Sequence, residues 1–327
     1  MRPPPSLLQR VRAVAKSRVC ANAETLMEIA IMIEGQDGLT WPRWQRIAPL
    51  VEELGFAALF RSDHFTNQEP PDKDSLELWV SLTWLASNTR RIEFGSMVTP
   101  FSFRSPIFTA RMGKDVDDLS NGRLVLGIGA GWQVREHALF GLPLLPLGER
   151  MDRFSEGVEV VHSLLNSTAP VDFNGAYYQL QGAQLLPRPQ RPGGPRLLIG
   201  GNGLKRTLPL VAKYAGEWNA VYLAPDRFIE VNAHLDDLLR AEGRALGAVR
   251  RSLMNGLVFG RDDAQLRERL RGRDPAELQA HGSIVGTPAA VKEQVARVAE
   301  TGVARLLLQW FEQDDMAGLE ALAHTLL

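Results

Sequence analysis

A histidine with an acidic neighbour follows the second short apolar run of this chain, where it is suited to proton transfer. The run at residues 57–61 leads directly into Ser62, Asp63 and His64. An imidazole changes its protonation state near neutral pH, so a histidine can accept or donate a proton during a reaction. The alternative is a histidine held at the rim of the fold by hydrogen bonds. His64 is our first candidate for a catalytic residue.

Glu136 is a second candidate for proton transfer. It follows a glycine-rich stretch at residues 127–131 and the tryptophan Trp132. An acidic side chain also stabilises the positive N-terminal end of a helix, which is an equally good explanation of Glu136. We expect Trp132 to wall a pocket for an apolar ring, with packing in the core as the alternative.

The stretch at residues 200–207, GGNGLKRT, has the composition of a phosphate-binding turn. Glycines let a phosphate approach the backbone, and free N–H groups at the start of a following helix attract an anion. Lys205 and Arg206 add positive charge, and Thr207 adds a hydroxyl. A tight turn before a solvated basic helix is the alternative. Together with the glycines at 127–131, this stretch favours a cofactor with a long phosphate-bearing tail.

Other kinds of site find little support in the sequence. His64 and His137 are far apart, and neither H-x-H nor H-E-x-x-H spacing occurs, so we expect no metal site. The one cysteine, Cys20, excludes a disulfide framework or a cysteine metal cluster. A G-x-S-x-G turn, the mark of many serine hydrolases, is missing.

The elements that must position these residues alternate between short apolar runs and helical patterns. Eight strands alternating with helices predict a (β/α)8 TIM barrel, in which all the candidate residues meet at the carboxyl ends of the strands. A doubly wound sheet is the alternative, but the turn EGQDG after the first strand lacks the G-x-G-x-x-G pattern. The predicted strands are 28–33, 57–61, 92–98, 123–128, 195–199, 217–222, 253–259 and 303–309, and the predicted helices include 41–54, 75–87, 106–119, 149–165, 204–215 and 226–242.

One segment interrupts the alternation between the fourth and fifth strands. Residues 170–180, PVDFNGAYYQL, carry the pair Asn174-Gly175, which is typical of a hairpin turn. Four prolines between residues 187 and 195 then stiffen the return to the barrel. We therefore predict an insertion hairpin after the fourth strand, near the barrel mouth.

Composition limits the classes of function. The chain has 327 residues, 45% hydrophobic and 23% charged, with a net charge of −1, which is an ordinary globular composition and argues against a nucleic-acid or membrane-surface protein. We expect a cytoplasmic protein, because cysteine is nearly absent and no apolar run is long enough to span a membrane. Residues 1–26 are basic and proline-rich, and we expect a disordered or non-native tail there, with one barrel domain over 27–327.

Motifs spread over residues 27–310 carry a resemblance to a known family. The chain resembles the luciferase-like monooxygenase superfamily, and most closely its branch of oxidoreductases that use the deazaflavin coenzyme F420. The matching stretches are SDHF at 62–65, RIEFGSMVTPFSFRSP at 91–106, DDLSNGRLVLGIGAGW at 117–132, LGERMDRF at 147–154, FNGAYYQL at 173–180 and GGNGLKRTLPLVAKYAGEWN at 200–219.

The resemblance implies where the cofactor lies. Its ring would occupy the barrel mouth, backed by a non-proline cis peptide at Ser96-Met97, with His64 beside the ring. Glu136 stands near an acid of some members, although its spacing from the strand differs from theirs. The phosphate tail would meet the turns after the fourth and fifth strands. The implied cofactor-binding residues are Asp63, Ser96, Met97, Thr99, Gly129, Gly131, Trp132, Gly200, Gly201, Asn202, Gly203, Lys205 and Arg206.

The implied activity is hydride transfer between F420 and a small organic substrate. The alternative within the superfamily is a monooxygenase that uses reduced FMN and oxygen. Two further hypotheses remain outside this class of activity. One is a non-catalytic flavin-binding barrel, as exists in the superfamily, and the other is a metal-free hydrolase or isomerase that acts on a sugar phosphate. The resemblance also implies a homodimer formed through the helices at 75–87 and 106–119, with no nucleic-acid or membrane partner.

Overall fold

A computed structural model describes residues 27–327 and contains a closed parallel barrel. The expected tail at 1–26 lies outside the described residues. Eight strands close the barrel through parallel pairing of β12 with β1 and of β9 with β10, which confirms the predicted fold. In chain order the strands are β1 (Glu28–Ile33), β2 (Ala58–Arg61), β3 (Glu93–Ser96), β4 (Thr99–Pro100), β5 (Leu124–Gly129), β6 (Val171–Asn174), β7 (Gln179–Ala183), β8 (Arg196–Gly200), β9 (Glu217–Val221), β10 (Arg250–Phe259), β11 (Ile284–Gly286) and β12 (Arg305–Gln309).

Helices cover the outside of the barrel and bury an apolar stripe against the strands. Those at 134–139, 263–270, 275–280 and 288–299, and the short strand β11, are additions to the predicted elements. The helices are α1 (Trp41–Glu53), α2 (Leu78–Asn88), α3 (Pro106–Leu119), α4 (Val134–Leu139), α5 (Leu147–Asn166), α6 (Thr207–Tyr214), α7 (Pro225–Ala241), α8 (Asp263–Leu270), α9 (Pro275–Ala280), α10 (Pro288–Ala299) and α11 (Met316–Leu326).

The third barrel strand differs from its prediction as one run over 92–98. It ends at Ser96 and resumes as β4, which pairs with β5. The Met97 N–H still donates to the Arg61 carbonyl at 2.8 Å, so the ladder continues to that residue and breaks after it. The non-proline cis peptide expected at Ser96-Met97 was wrong by one bond, because it joins Met97 to Val98.

The predicted insertion hairpin is present after β5, the fourth strand of the barrel. β6 and β7 pair antiparallel around the turn at Gly175. The Glu156 carboxylate on α5 accepts hydrogen bonds from the N–H groups of Ala176 and Tyr177 at 2.9 and 2.8 Å. The hairpin is therefore fastened to the barrel by its tip.

Side chains that point into the barrel form a charged end and an apolar end. At the amino ends of the strands, buried Arg305 forms ion pairs with Glu28 and Glu93. Toward the carboxyl ends the interior becomes apolar, because the inward positions near the ends of β1, β2, β9 and β10 carry methionine, phenylalanine or valine. This apolar floor below the mouth consists of Met32, Phe60, Met97, Val98, Val221 and Met254.

Candidate active site

His64 and Glu136 meet at the carboxyl end of the barrel, although 71 residues separate them in the chain. The short turn after β2 carries His64, and α4 carries Glu136. The His64 Nδ1 lies 3.0 Å from Glu136 Oε1, and the Phe65 N–H donates to Glu136 Oε2 at 3.0 Å. Glu136 thus fixes both the ring and the backbone of the histidine turn. The Nε2 of His64 remains the ring nitrogen available to a ligand.

Burial and charge act in opposite directions on His64. Burial lowers the pKa of His64, whereas the hydrogen bond and negative charge of Glu136, together with the charges of Glu34 and Asp63, raise it. The net effect raises the pKa of His64 above its ordinary value near 6.5. Beside an ionised Glu136, Nδ1 carries the proton and donates it, so neutral His64 offers a lone pair at Nε2.

Asp63, the residue before His64, is held in place by Arg104. Both carboxylate oxygens of Asp63 accept hydrogen bonds from Arg104, at 3.0 and 2.7 Å. Arg104 also donates to Glu77, at the start of α2. Burial raises the pKa of Asp63, and Arg104 counteracts this through its hydrogen bonds and charge. Asp63 was predicted to bind the cofactor, and in this structure its carboxylate is occupied by Arg104.

Trp132 extends the histidine pair into an aromatic wall. Its ring contacts the His64 ring edge-on, with centroids 5.5 Å apart and planes at 80°. The Trp132 side chain is 53% exposed, so core packing does not account for it. Gly131 before it has a φ of +82°, and a Cβ there would lie 2.0 Å from the Ser102 hydroxyl. Glycine is needed at Gly131 to set Trp132 at the mouth.

Close contacts with Ser96 and Val98 explain three glycines on the neighbouring strands β5 and β8. A Cβ on Gly129 would lie 2.5 Å from a Val98 methyl carbon, and a Cβ on Gly200 would lie 3.1 Å from the other. A Cβ on Gly127 would lie 1.9 Å from the Ser96 carbonyl oxygen. These glycines make room for the bulge between β3 and β4, and half-buried Val98 presents an apolar surface to the mouth.

The hydroxyls of Ser96 and Thr99 flank this bulge and differ in their hydrogen bonding. The Ser96 hydroxyl donates to the Gly127 carbonyl at 2.7 Å and accepts from the Gly127 N–H at 3.1 Å, so it joins β3 to β5. The Thr99 hydroxyl is buried and has no hydrogen-bond partner among the described residues. Of this predicted pair, only the Thr99 hydroxyl lacks a partner among the described residues.

The turn after β8 begins its helix later than predicted, at Thr207 instead of 204. The Asn202 side chain pairs with both backbone groups of Val221, at 2.8 and 3.0 Å, which fastens the turn to β9. None of the N–H groups of residues 202–206 donates to another described residue. Lys205 is exposed, whereas Arg206 forms an ion pair with Asp152 on α5. The turn has the free donors that a phosphate needs.

Three further polar residues, none of them a predicted site residue, converge at the mouth. Glu34 follows β1, Gln309 ends β12 and Tyr222 follows β9. The Tyr222 hydroxyl donates to Gln309 Oε1, and Gln309 Nε2 donates to Glu34 Oε1 at 2.5 Å. The signal that could have found them is position, since each stands at the carboxyl end of a barrel strand.

The described residues contain neither a metal-binding cluster nor a membrane-spanning helix. Within residues 27–327, no group of three or more histidine, cysteine, aspartate or glutamate side chains is placed to hold a metal ion. None of the helices there combines the length and apolar character that crossing a bilayer requires.

The fold and the mouth define a (β/α)8 barrel with an apolar, histidine-bearing pocket at the carboxyl ends of its strands. The sequence model of the luciferase-like monooxygenase family matches residues 27–281, and the chain belongs to this family. An F420-dependent glucose-6-phosphate dehydrogenase of Kineococcus radiotolerans is 31% identical over 273 residues, which is 81% of this chain and 77% of that protein.

Solved structures of the same fold cover nearly the whole chain. An F420-dependent secondary alcohol dehydrogenase in complex with an F420-acetone adduct superposes with a TM-score of 0.80 at 19% identity, over 92% of this chain and 98% of that one. The monooxygenase RslO1 from Streptomyces bottropensis superposes with a TM-score of 0.76 at 21% identity, over the same shares. At these identities the likeness establishes the fold.

Proposed function

We propose that this protein is an oxidoreductase that transfers a hydride between coenzyme F420 and a small organic substrate. The observation that carries the proposal is the His64–Glu136 pair beside Trp132, at the rim of an apolar floor. The named activity of the Kineococcus radiotolerans relative supports F420 as the cofactor. The substrate of the proposed reaction is a small organic molecule.

The residues at the mouth fit a flat ring with an anionic tail. Val98 and the apolar floor offer contact to a ring. The N–H groups of 202–206 and the exposed Lys205 suit a phosphate. When bound, F420 supplies a ring carbon that takes up or gives back a hydride.

His64 is the proton-transfer residue of the proposed reaction. In the oxidation of an alcohol to a carbonyl compound, the carbon loses a hydride to the cofactor and the hydroxyl loses a proton. Neutral His64 accepts this proton at Nε2, and Glu136 stabilises the imidazolium that forms. Glu136 is buried, so little water screens its charge from His64.

A binding titration tests the cofactor. We would follow the tryptophan fluorescence of the full chain with F420 and, separately, with FMN. We expect F420 to quench the fluorescence and to bind at least tenfold more tightly than FMN, with Trp132→Phe removing part of the quenching. Tighter binding of FMN would make the protein a candidate flavin monooxygenase and would overturn the proposal, as would binding of neither.

We also propose that two copies of the chain associate through α2 and α3. These neighbouring helices carry exposed apolar side chains, with Val80 56% and Phe108 66% exposed. Isolated exposed apolar residues are common, but several on adjacent helices favour contact with another protein surface.

A further inference from the structure

A cavity of about 1070 Å³ opens beside the barrel mouth. We call it the β10–β12 cavity, because the end of β10 and the segment after β12 form most of its wall. Tyr222, Gly256, Gln309 and Trp310 line it. The glycine turns that suit the cofactor tail follow β5 and β8, and none of their residues lines this cavity.

We propose that the β10–β12 cavity is the substrate site and that Tyr222 is a specificity-determining residue that accepts a hydrogen bond from an uncharged, hydroxyl-bearing part of the substrate. The inference rests on the proposed function, which supplies the cofactor half of the site.

The hydrogen bonds around Tyr222 fix what its hydroxyl can offer. The phenol O–H is donated to Gln309 Oε1, and Gln309 is held in turn by its bond to Glu34. The phenol oxygen therefore keeps lone pairs for a ligand and has no second proton to give. The Tyr222 side chain is 43% exposed, so a ligand in the cavity can reach it. Only a ligand that brings a donor, such as a hydroxyl group, satisfies this oxygen.

Charge beside Tyr222 disfavours an anion at that residue, whereas basic side chains line other parts of the cavity. Arg43, Lys73 and Arg269 among them are paired with Asp314, Asp37 and Asp315, and Arg271 and Arg273 also belong to the lining. No described cation lies within ion-pair distance of Glu34, whose carboxylate accepts bonds from the amides of Gln309 and Gln36. Burial and the charge of Glu34 raise the pKa of Tyr222 to about 12, so its phenol stays neutral at physiological pH. A phosphate or carboxylate brings acceptors alone and would meet the Glu34 charge. The part of the substrate that meets Tyr222 is therefore uncharged.

The backbone of Tyr222 is held in a conformation that non-glycine residues rarely adopt. Its φ is +51°, in the left-handed region. Gly282 packs on this backbone so closely that a Cβ there would lie 2.8 Å from the Tyr222 carbonyl carbon. The Tyr222 N–H donates to the Met254 carbonyl at 2.9 Å. Such strain persists where the surroundings enforce it, and it is common at functional sites.

The first test removes the hydroxyl. Tyr222→Phe and the matched control Tyr214→Phe would be loaded with F420, and binding of glucose, glycerol and 2-propanol would be measured by tryptophan fluorescence. We expect Tyr222→Phe to bind at least one of these probes three- to tenfold more weakly than wild type, as for a lost neutral hydrogen bond. Tyr214, whose hydroxyl donates to Glu159 on the outer helices, leaves binding unchanged. Affinity for F420 stays equal in both variants.

A second pair of variants tests the positioning of Tyr222. Gly282 and Gly302 both have positive φ, +82° and +87°, so alanine strains both backbones alike. A Cβ at Gly302 meets no atom within 4 Å, whereas one at Gly282 meets Tyr222. We expect Gly282→Ala to weaken binding of the same probes and Gly302→Ala to leave it unchanged.

Three outcomes would overturn the inference. They are wild-type affinity in Tyr222→Phe, equal effects of the two glycine variants, and failure of all three probes to bind the wild-type protein. Failure of the proposed function can be distinguished from failure of this inference, because in that case the wild-type chain would not bind F420. In that case the probes would be titrated against the chain alone, and the same comparisons would decide on the cavity.

Discussion

Glu136 acts on His64 through its charge as well as through a hydrogen bond. Burial lowers the pKa of His64, and Glu136 is the largest influence that raises it. In the oxidation of an alcohol, neutral His64 is the active form, so the rate rises as the pH passes upward through the pKa of His64. Glu136→Gln removes the charge and keeps an acceptor for the Phe65 N–H. We expect this rising limb to move to lower pH, as measured from the pH profile of F420 reduction.

Glu77→Gln is the matched control for Glu136→Gln. Glu77 is a carboxylate of the same region, bonded to Arg104 at 2.7 Å, but it is not among the groups that shift the pKa of His64. We expect the midpoint of its pH profile to stay at the wild-type value. An unchanged midpoint in Glu136→Gln would mean that His64 is not the group whose proton limits the rate.

At the residue scale, position along a strand predicted part of the site. His64 and Glu136 were both candidates from the sequence, but their contact depends on how the turn after β2 faces α4. The hydrogen bonds that connect Glu34, Gln309 and Tyr222 link residues at the first and last strands of the barrel. These residues meet because β1 lies beside β12 only when the barrel closes. A single glutamate or tyrosine after an apolar run carries no local signal of such a partner.

The bulge after β3 is the element that shapes the floor of the mouth. Gly129→Ala would place a methyl group 2.5 Å from Val98, and that short branched side chain cannot move away without shifting the bulge. We expect a loss of about 1–3 kcal/mol of unfolding free energy, as for other overpacked sites, together with weaker F420 binding. Chemical denaturation and the fluorescence titration would measure the two effects.

Gly148→Ala is the control for this element. Gly148 lies in α5, and a Cβ there meets no atom within 4 Å. Alanine favours a helix over glycine, so we expect equal or slightly higher stability and unchanged F420 binding. If Gly129→Ala bound F420 as wild type does, the bulge would have no part in cofactor binding.

Strands and helices were predictable from apolar periodicity, whereas irregular elements were not. β3 was predicted to continue through residue 98, because Met97 and Val98 are as apolar as a buried strand requires. The break between β3 and β4 is imposed by packing against β5 and β8, where Val98 meets Gly129 and Gly200. The extra strand β11 has three residues, too few to show a period of its own.

For the whole molecule, the alternation of eight strands with helices predicted the closed barrel, because both faces of such strands are buried and read as apolar runs. The hairpin was predictable because the pair Asn174-Gly175 is typical of a tight turn, and such a pair can be recognised in the local sequence. Association of barrels leaves a weaker signal, since it depends on which apolar side chains the fold leaves exposed. Phe108 and Val80 can be seen to be exposed only once α2 and α3 are in place.

The proposed dimer gives the prediction for the whole molecule. Light scattering of the wild-type chain should give twice the mass of one copy. Phe108→Asp introduces a charge at a side chain that is 66% exposed on α3, so the folded copy tolerates it while an apolar interface does not. We expect this variant to be monomeric. Leu327→Asp, at a side chain 58% exposed beyond α11, should remain a dimer. A monomeric wild type, or a dimer that Phe108→Asp leaves intact, would show that these two helices do not join copies of the chain.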